Sequence, residues 1–195
     1  MNRVSEALRT IAEGKFVIVV DDEHRENEGD LVLAAEKAHP EALAFMIRHT
    51  TGIICMAMEG VRLDQLHLPM MVARNTDRKQ TAFTISVDAL QGTTTGVSAE
   101  DRTKTILSLI HPDTRPQDLA RPGHIFPLRY REGGVLKRAG HTEAAVDLAR
   151  MAQLYPAGII GELIHDNGMM MRLPELRAFS TFHNIPLITV ADIVR

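Results

Sequence analysis

Between Asp21 and Asp30 the chain carries six carboxylates, Asp21, Asp22, Glu23, Glu26, Glu28 and Asp30, with Arg25 in their midst. Acids this close repel one another, so the segment needs a cation, an arginine or solvent to hold it together. A solvated acidic turn would meet that need, but such a turn has no use for Arg25. The run also follows directly on the apolar stretch Phe16–Val20, and ligands of α/β proteins gather beyond the carboxyl ends of strands. Gly29 is expected to act as a hinge. An EF-hand is excluded: aligning Gly29 with the loop's required glycine places His24 first and Ala35 last, where carboxylates are needed. Hard oxygen ligands of this kind suit Mg2+ or Mn2+.

Three further segments carry chemistry. Gly92-Thr93-Thr94-Thr95-Gly96 leads through Ser98 and Asp101 into a helical pattern. Its hydroxyls and free N–H groups make either an anion cradle or a plain turn with an N-cap. The missing Gly-Lys-Ser/Thr ending excludes a P-loop. Next come Arg121-Pro122-Gly123-His124 and Lys137-Arg138-Ala139-Gly140-His141-Thr142-Glu143, where cations, a glycine and a hydroxyl stand just before a helix. That combination suits a phosphate by charge, backbone access and helix dipole together. His141 is either structural or a metal ligand. The form His141-Thr142-Glu143 matches the His-x-Glu of zinc deaminases, but no Pro-Cys-x-x-Cys follows, and no His-Glu-x-x-His occurs. Glu162 interrupts the apolar run Ala157–Ile164, so it is paired, metal-bound or catalytic. Asp166-Asn167-Gly168 reads as a hairpin turn and Met169–Met171 as core or strand filling. By residue type alone, the four segments describe a metal-assisted enzyme acting on a small phosphorylated substrate, with the reaction left open.

The elements that must position these groups are legible from periodicity. Val4, Ala7, Leu8 and Ile11, stopped by Gly14, predict an opening helix. Phe16–Val20 lacks alternation, as a strand buried on both faces does, and Leu31–Ala35 resumes an apolar run. Pro40 opens a helix through Leu43, Met46 and Ile47, ended by Thr51-Gly52, and Ile53–Met58 is a strand. Ala82–Val87 alternates like a strand, and Ser98 with Asp101 forms a capping box opening a helix through Ile110. Glu143–Met151 is helical, Ala157–Ile164 a strand, Pro174 starts a helix, and Pro186–Val190 closes with a strand. Pro69–Gln80 and Pro112–Gly134 are long irregular connections. Interspersed strands and helices, without linker or repeat, predict one compact domain over residues 1–195, of α/β (α+β) class, with a mixed sheet flanked by helices.

Composition sets outer bounds. The chain has 195 residues, 45% hydrophobic and 24% charged, with a formal net charge of −3, which excludes a general nucleic-acid-binding surface. Cys55 is the sole cysteine, so neither an internal disulfide nor a cysteine-built zinc site is available. Met1–Gly14 is too polar for a secretory core, and no apolar run is long enough to span a bilayer. A soluble cytoplasmic protein with no membrane or nucleic-acid partner is expected.

Read in order, the motifs resemble the 3,4-dihydroxy-2-butanone 4-phosphate synthase family across essentially the whole chain. The stretches that carry the resemblance are DDEHRENEGDL from Asp21, TGIICMAM from Thr51, TAFTISVDA from Thr81, GTTTGVSAEDRTKTI from Gly92, RPGHIFPLR from Arg121, GGVLKRAGHTEAAVDLAR from Gly133, and the closing PLITVADIV. The resemblance implies a lyase of riboflavin biosynthesis that converts ribulose 5-phosphate into the four-carbon phosphate and formate. It further implies a homodimer with active sites at the subunit interface and an acidic loop that closes over substrate. Glu26 and His141 would hold Mg2+, or Mn2+ as substitute, with two ions per subunit. Substrate would be held by Arg25, Glu26, Asp30, Thr95, Arg138, Ala139, Gly140, His141, Thr142 and Glu162, with Asp88 an added contact. Glu162, Asp30 and His141 would be catalytic. A fused cyclohydrolase II part is not found before Arg195, so a monofunctional form is expected. The sequence departs from the family pattern at His24 (commonly Asp), Gly161 (commonly Cys), His165-Asp166-Asn167 and Met169, none of them an implied ligand. The rival readings are a divergent lyase or isomerase acting on another sugar phosphate, and a non-catalytic cation-binding interaction module.

Overall fold

The computed structural model describes residues 3–195. Its core is divided in two by strict side-chain alternation. Strand β1 (Val17–Val20) sends Ile18 and Val20 to one face and Val17 and Val19 to the other. Strand β2 (Gly29–Ala34) sets Leu31 and Leu33 against Val32 and Ala34, and β3 (Cys55–Met58) sets Met56 and Met58 against Cys55 and Ala57. Because both faces are covered, these strands show no polar alternation in sequence. The first face is roofed by α2 (Pro40–His49), α3 (Gly60–Gln65), α4 (Ala99–Ile110) and α6 (Leu173–His183). The second is roofed by α1 (Arg3–Ala12), α5 (His141–Met151) and α7 (Val190–Val194). The result is a three-layer α/β domain.

The remaining strands are β4 (Val87–Ala89), β5 (Leu119–Arg129), β6 (Ala157–Glu162) and β7 (Leu187–Thr189). The seven-stranded sheet runs β4-β5-β3-β6-β2-β1-β7. It is mixed: β3 with β5 and β1 with β7 are parallel, and the other neighbours are antiparallel. No helix among the described residues is long and apolar enough to cross a membrane.

The helix starts follow local chemistry. Pro40 occupies the first turn of α2, and Ser98 Oγ accepts the Asp101 N–H at 3.0 Å to open α4. Two expectations are corrected. Ala82–Val87 forms no continuous strand; Phe83 and Thr84 make isolated bridges to Leu128 and Met70, and the ladder begins only at Val87. The segment divides its hydrogen bonds between two neighbours, Thr84 N–H to the Pro127 carbonyl and Ile85 N–H to that of Pro69. Conversely, the supposed irregular stretch Pro112–Gly134 contains the long strand β5. Pro122, Gly123 and Pro127 disguise it, because residues without an N–H or a side chain read as loop although particular strand positions tolerate them. The short helix α3 carries no strong sequence signal, whereas α7 opens on a capping box of Thr189 with Asp192 that the expected strand Pro186–Val190 overlaid.

Candidate active site

The register of β1 with β2 pairs Val20 with Gly29 and Val19 with Asp30, so the acidic segment is the connection of a hairpin. Asp21 gathers it from within. One carboxylate oxygen accepts from Arg25 Nη1 at 2.8 Å and the Glu26 N–H at 3.1 Å, and the other accepts the Glu28 N–H at 3.0 Å. Arg25 also reaches Glu26 Oε2 at 2.5 Å. The left-handed residue of the turn is Asn27, with φ 55°. Gly29 is therefore not the expected hinge: it is buried at the start of β2, where a Cβ would come within 2.5 Å of Leu176 Cδ1. Its lack of a side chain lets α6 approach the hairpin.

Antiparallel pairing of β2 with β6 places Asp30 opposite Glu162. Like charges facing each other across a ladder repel, so this pair needs compensation. His141, the first residue of α5, supplies part of it. Its Nε2 lies 3.1 Å from the Val19 carbonyl, a contact that fixes the tautomer with the proton on that nitrogen. Nδ1 is thereby aimed at Glu26 Oε2 at 3.6 Å and Asp30 Oδ1 at 3.7 Å. Glu162 accepts the Thr51 hydroxyl at 2.7 Å.

Electrostatics mark the cluster as overcharged. Burial pushes the Asp30 carboxyl up to about 7, reinforced by Glu162, Glu26 and Glu28 and opposed by His141. Burial likewise opposes charge on His141, but Asp30, Glu26 and Asp21 outweigh it and raise the imidazole to about 9. Burial resists ionisation of Glu26 too, yet His141 and Arg25 bring it down to about 2. In the absence of a cation, a proton on His141 does the neutralising.

Asp21, Glu26 and His141 offer ligand atoms within 4.8 Å of one another. Asp21 is taken up by three of the loop's own donors, which leaves His141 Nδ1 and the Glu26 carboxylate, whose Oε2 is ion-paired with Arg25, as the pair best placed to hold a cation. Behind them the buried Asp30 Oδ1 has no hydrogen-bond partner. An orphaned buried carboxylate oxygen beside a carboxylate and an aimed imidazole nitrogen fits a hard divalent cation.

The opposite end of the recess is cationic. Gly140 caps α5, and a Cβ there would come within 2.5 Å of Arg138 Nη1 and 2.9 Å of Arg25 Nη2. Arg138 is braced by Glu143 Oε2 at 2.7 Å and by the Lys79 carbonyl at 3.1 Å. A cavity of about 120 Å3 joins the two ends, lined by Arg25, Glu26, Asp30, Arg138, His141, Thr142 and Glu162, with Cys55 on its wall. A larger groove of about 880 Å3 lies elsewhere, between α1, α2 and α6, and includes none of these residues. Ala139 is exposed beside the cavity. Thr95 and Asp88 are not part of it. Thr95 is exposed in its loop, while Asp88 accepts the His124 N–H at 2.9 Å and lies 2.7 Å from His124 Nδ1.

The family profile for 3,4-dihydroxy-2-butanone 4-phosphate synthase matches residues 5–195. The chain belongs to the 3,4-dihydroxy-2-butanone 4-phosphate synthase family. An Agrobacterium fabrum protein of that name is 52% identical over 192 residues, covering 98% of this chain and 90% of its own length. A chloroplastic bifunctional riboflavin biosynthesis protein of Arabidopsis thaliana is 57% identical over 98% of this chain, which spans 36% of that protein. Among solved structures, a 3,4-dihydroxy-2-butanone 4-phosphate synthase in complex with two magnesium ions superposes with a TM-score of 0.92 at 40% identity, covering 97% of this chain and 94% of the other. A two-domain synthase from A. baumannii gives a TM-score of 0.94 at 45% identity, with 98% and 56% covered.

Within this synthase-family chain, Lys79 and Arg172 reach the site region without a role legible in sequence, and His124, read there as part of a phosphate-binding stretch, stands outside the cavity. Lys79 donates to the Arg25 carbonyl, and Arg172 donates to the carbonyls of Glu26 at 2.9 Å and Asn27 at 2.5 Å. His124, half exposed and oriented by Asp88, is a ready acid–base group. Lys79 sits in an irregular connection and Arg172 at the mouth of a helix, where neither spacing nor periodicity singles out a side chain.

Proposed function

We propose that the chain converts ribulose 5-phosphate into 3,4-dihydroxy-2-butanone 4-phosphate with release of formate, assisted by divalent cations. One observation carries the reading: an aimed imidazole, the Glu26 carboxylate beside it and the orphaned Asp30 oxygen share a small cavity with a cationic, helix-capped end. Sugar phosphates present this same asymmetry, with oxygens to be chelated at one end and a dianion at the other. Membership of the synthase family and the relative solved with two magnesium ions support the choice of reaction and of Mg2+. Mn2+ is the substitute expected from the same hard donors.

Glu26 and His141 would hold the cation. When bound, it supplies Lewis-acid polarisation of the substrate carbonyl and neutralises developing enediolate charge. The chain's own residues do the rest. Arg138, Arg25 and the N–H groups of His141 and Thr142 at the start of α5 bind the phosphate, with Gly140 leaving room for it. Asp30 and Glu162, facing each other across the β2–β6 ladder, take and return protons at the substrate carbons and hydroxyls. The acidic connection excludes water from dicarbonyl intermediates. The overall step balances: the five-carbon phosphate yields a four-carbon phosphate and formic acid, the water lost on dehydration being regained.

Thr95 and the Asp88–His124 pair fall outside this cavity. They are assigned to a partner's site in a homodimer, a reading supported by exposed Met70, Met71, Val72, Leu90 and Val97 in the flanking segments. The reading includes a soluble cytoplasmic enzyme, in keeping with the free, buried thiol of Cys55.

The test is incubation with ribulose 5-phosphate and Mg2+, assaying formate and the four-carbon phosphate. Turnover abolished by EDTA and restored by Mg2+ is expected. Tight cation binding without turnover of any pentose phosphate would sink the reading. For the shared site, mixing Glu26→Gln with His124→Ala subunits should restore part of the activity each lacks alone.

A further inference from the structure

Three consecutive backbone carbonyls of the acidic connection accept hydrogen bonds from cationic side chains distant in sequence. Lys79 donates to Arg25, and Arg172 Nη1 donates to both Glu26 at 2.9 Å and Asn27 at 2.5 Å. We propose that Arg172 is a positioning residue, whose guanidinium grips the Glu26–Asn27 backbone from outside and keeps the Glu26 carboxylate beside His141. The proposal rests on the assignment of Glu26 and His141 to the cation site.

The physical need is plain. Glu26, Glu28, Asp30 and Glu162 repel one another, and the chain turns between them at Asn27, whose left-handed φ of 55° asparagine accepts. Asp21 ties down the amides of Glu26 and Glu28, but no donor within the connection engages the carbonyls of Glu26 and Asn27. Arg172 does so without occupying the cation's place. Its backbone is anchored: the N–H donates to Glu175 Oε2 at 3.0 Å at the start of α6, and Leu176 of that helix packs on Gly29. The Glu28 carboxylate stands 3.7 Å from the same guanidinium, but the Arg172 side chain is 44% exposed and that ion pair counts for little. The two directional carbonyl bonds are the substance of the grip.

The experiment compares wild type, Arg172→Ala and Arg172→Lys by three measurements. These are hydrogen exchange of the metal-free protein, Mg2+ affinity by calorimetry, and turnover of ribulose 5-phosphate. In Arg172→Ala, amide exchange confined to residues 22–28 should quicken about 10-fold and Mg2+ should bind roughly 10-fold more weakly, the scale set by groups that orient metal ligands. Arg172→Lys, which keeps the charge but offers one ammonium to two carbonyls, should fall between. Wild-type exchange and Mg2+ affinity in Arg172→Ala would overturn the proposal, as would faster exchange spread over the whole sheet. Should Arg172→Ala fail to fold, Arg172→Lys decides: intermediate exchange at 22–28 supports the grip and wild-type exchange refutes it. Absent turnover in the wild type would instead refute the functional reading, and the exchange result would still report on Arg172.

Discussion

Two connections of this chain meet buried carboxylates, and they are built on opposite terms. In the 92–101 loop, the Asp101 carboxylate accepts the Thr94 N–H at 3.1 Å, the Thr94 hydroxyl at 2.7 Å and the Gly96 N–H at 3.0 Å. These bonds, the Thr94 hydroxyl foremost, hold its carboxyl below the ordinary value. In the 21–30 connection Asp21 is satisfied in that way and Asp22 accepts a single N–H, from His24. Glu26 and Asp30 converge on one imidazole, Glu162 faces Asp30 across the ladder, and burial lifts the Asp30 carboxyl to about 7. An acid with its donors supplied is architecture; acids in surplus over donors are a binding site waiting for positive charge.

The widest break in this contrast should come from Glu26→Gln and His141→Ala. Each is expected to lose cation-dependent turnover by more than about 100-fold while circular dichroism stays native, since a direct ligand matters more than its supports. Activity kept by both variants would remove the site assignment. Next in size, Arg138→Ala should weaken substrate binding by roughly 1.5–3 kcal/mol, the worth of a charge-assisted hydrogen bond. An unchanged substrate Kd would place the phosphate elsewhere.

On the satisfied side, Asp101→Ala should lower Tm by roughly 5 °C through loss of loop and cap bonds, with Mg2+ affinity unchanged. Altered affinity would show that the two connections are coupled. Their pH responses should also run in opposite senses. Asp101 has a depressed folded pKa, so its stabilisation is present above the unfolded value of about 3.9 and is lost as pH falls through the folded one. Asp30 has a raised folded pKa, so the metal-free protein loses stability as pH climbs from about 4 toward 7. Asp30→Asn should therefore raise the metal-free Tm by a few degrees at pH 8 and hardly at all near pH 4; equal shifts at both would contradict this. The smallest stability effect belongs to Thr95→Ala: no measurable change in Tm, but reduced turnover if a partner's Thr95 completes the cavity. Full activity would leave that residue outside the site.

Much of the fold was legible because its determinants are local. Phe16–Val20 and Ala157–Ile164 showed as buried strands, and Pro40 and Ser98 marked helix starts. The long strand β5 was hidden since its prolines carry loop statistics, and Ala82–Val87 looked like one strand, whereas the sheet supplies isolated bridges at Phe83 and Thr84 and a ladder only from Val87. Gly29 was misread for a similar reason: glycine suggests torsional freedom, whereas here it answers a neighbour, Leu176, far off in sequence.

The sequence by itself determined the chemical inventory of the site, a clustered set of acids, one histidine before a helix and a cationic glycine turn, and the order of motifs that identifies the family. Only the tertiary structure decided which acids are spent and which are free. Asp21 is consumed by backbone amides, Asp30 is set opposite Glu162 by strand register, and the Val19 carbonyl turns His141 Nδ1 toward them. Arg172 joins from far along the chain, at the start of α6. Residue types state which charges exist, but their energies depend on distance, burial and the donors left over, and those are properties of the folded chain.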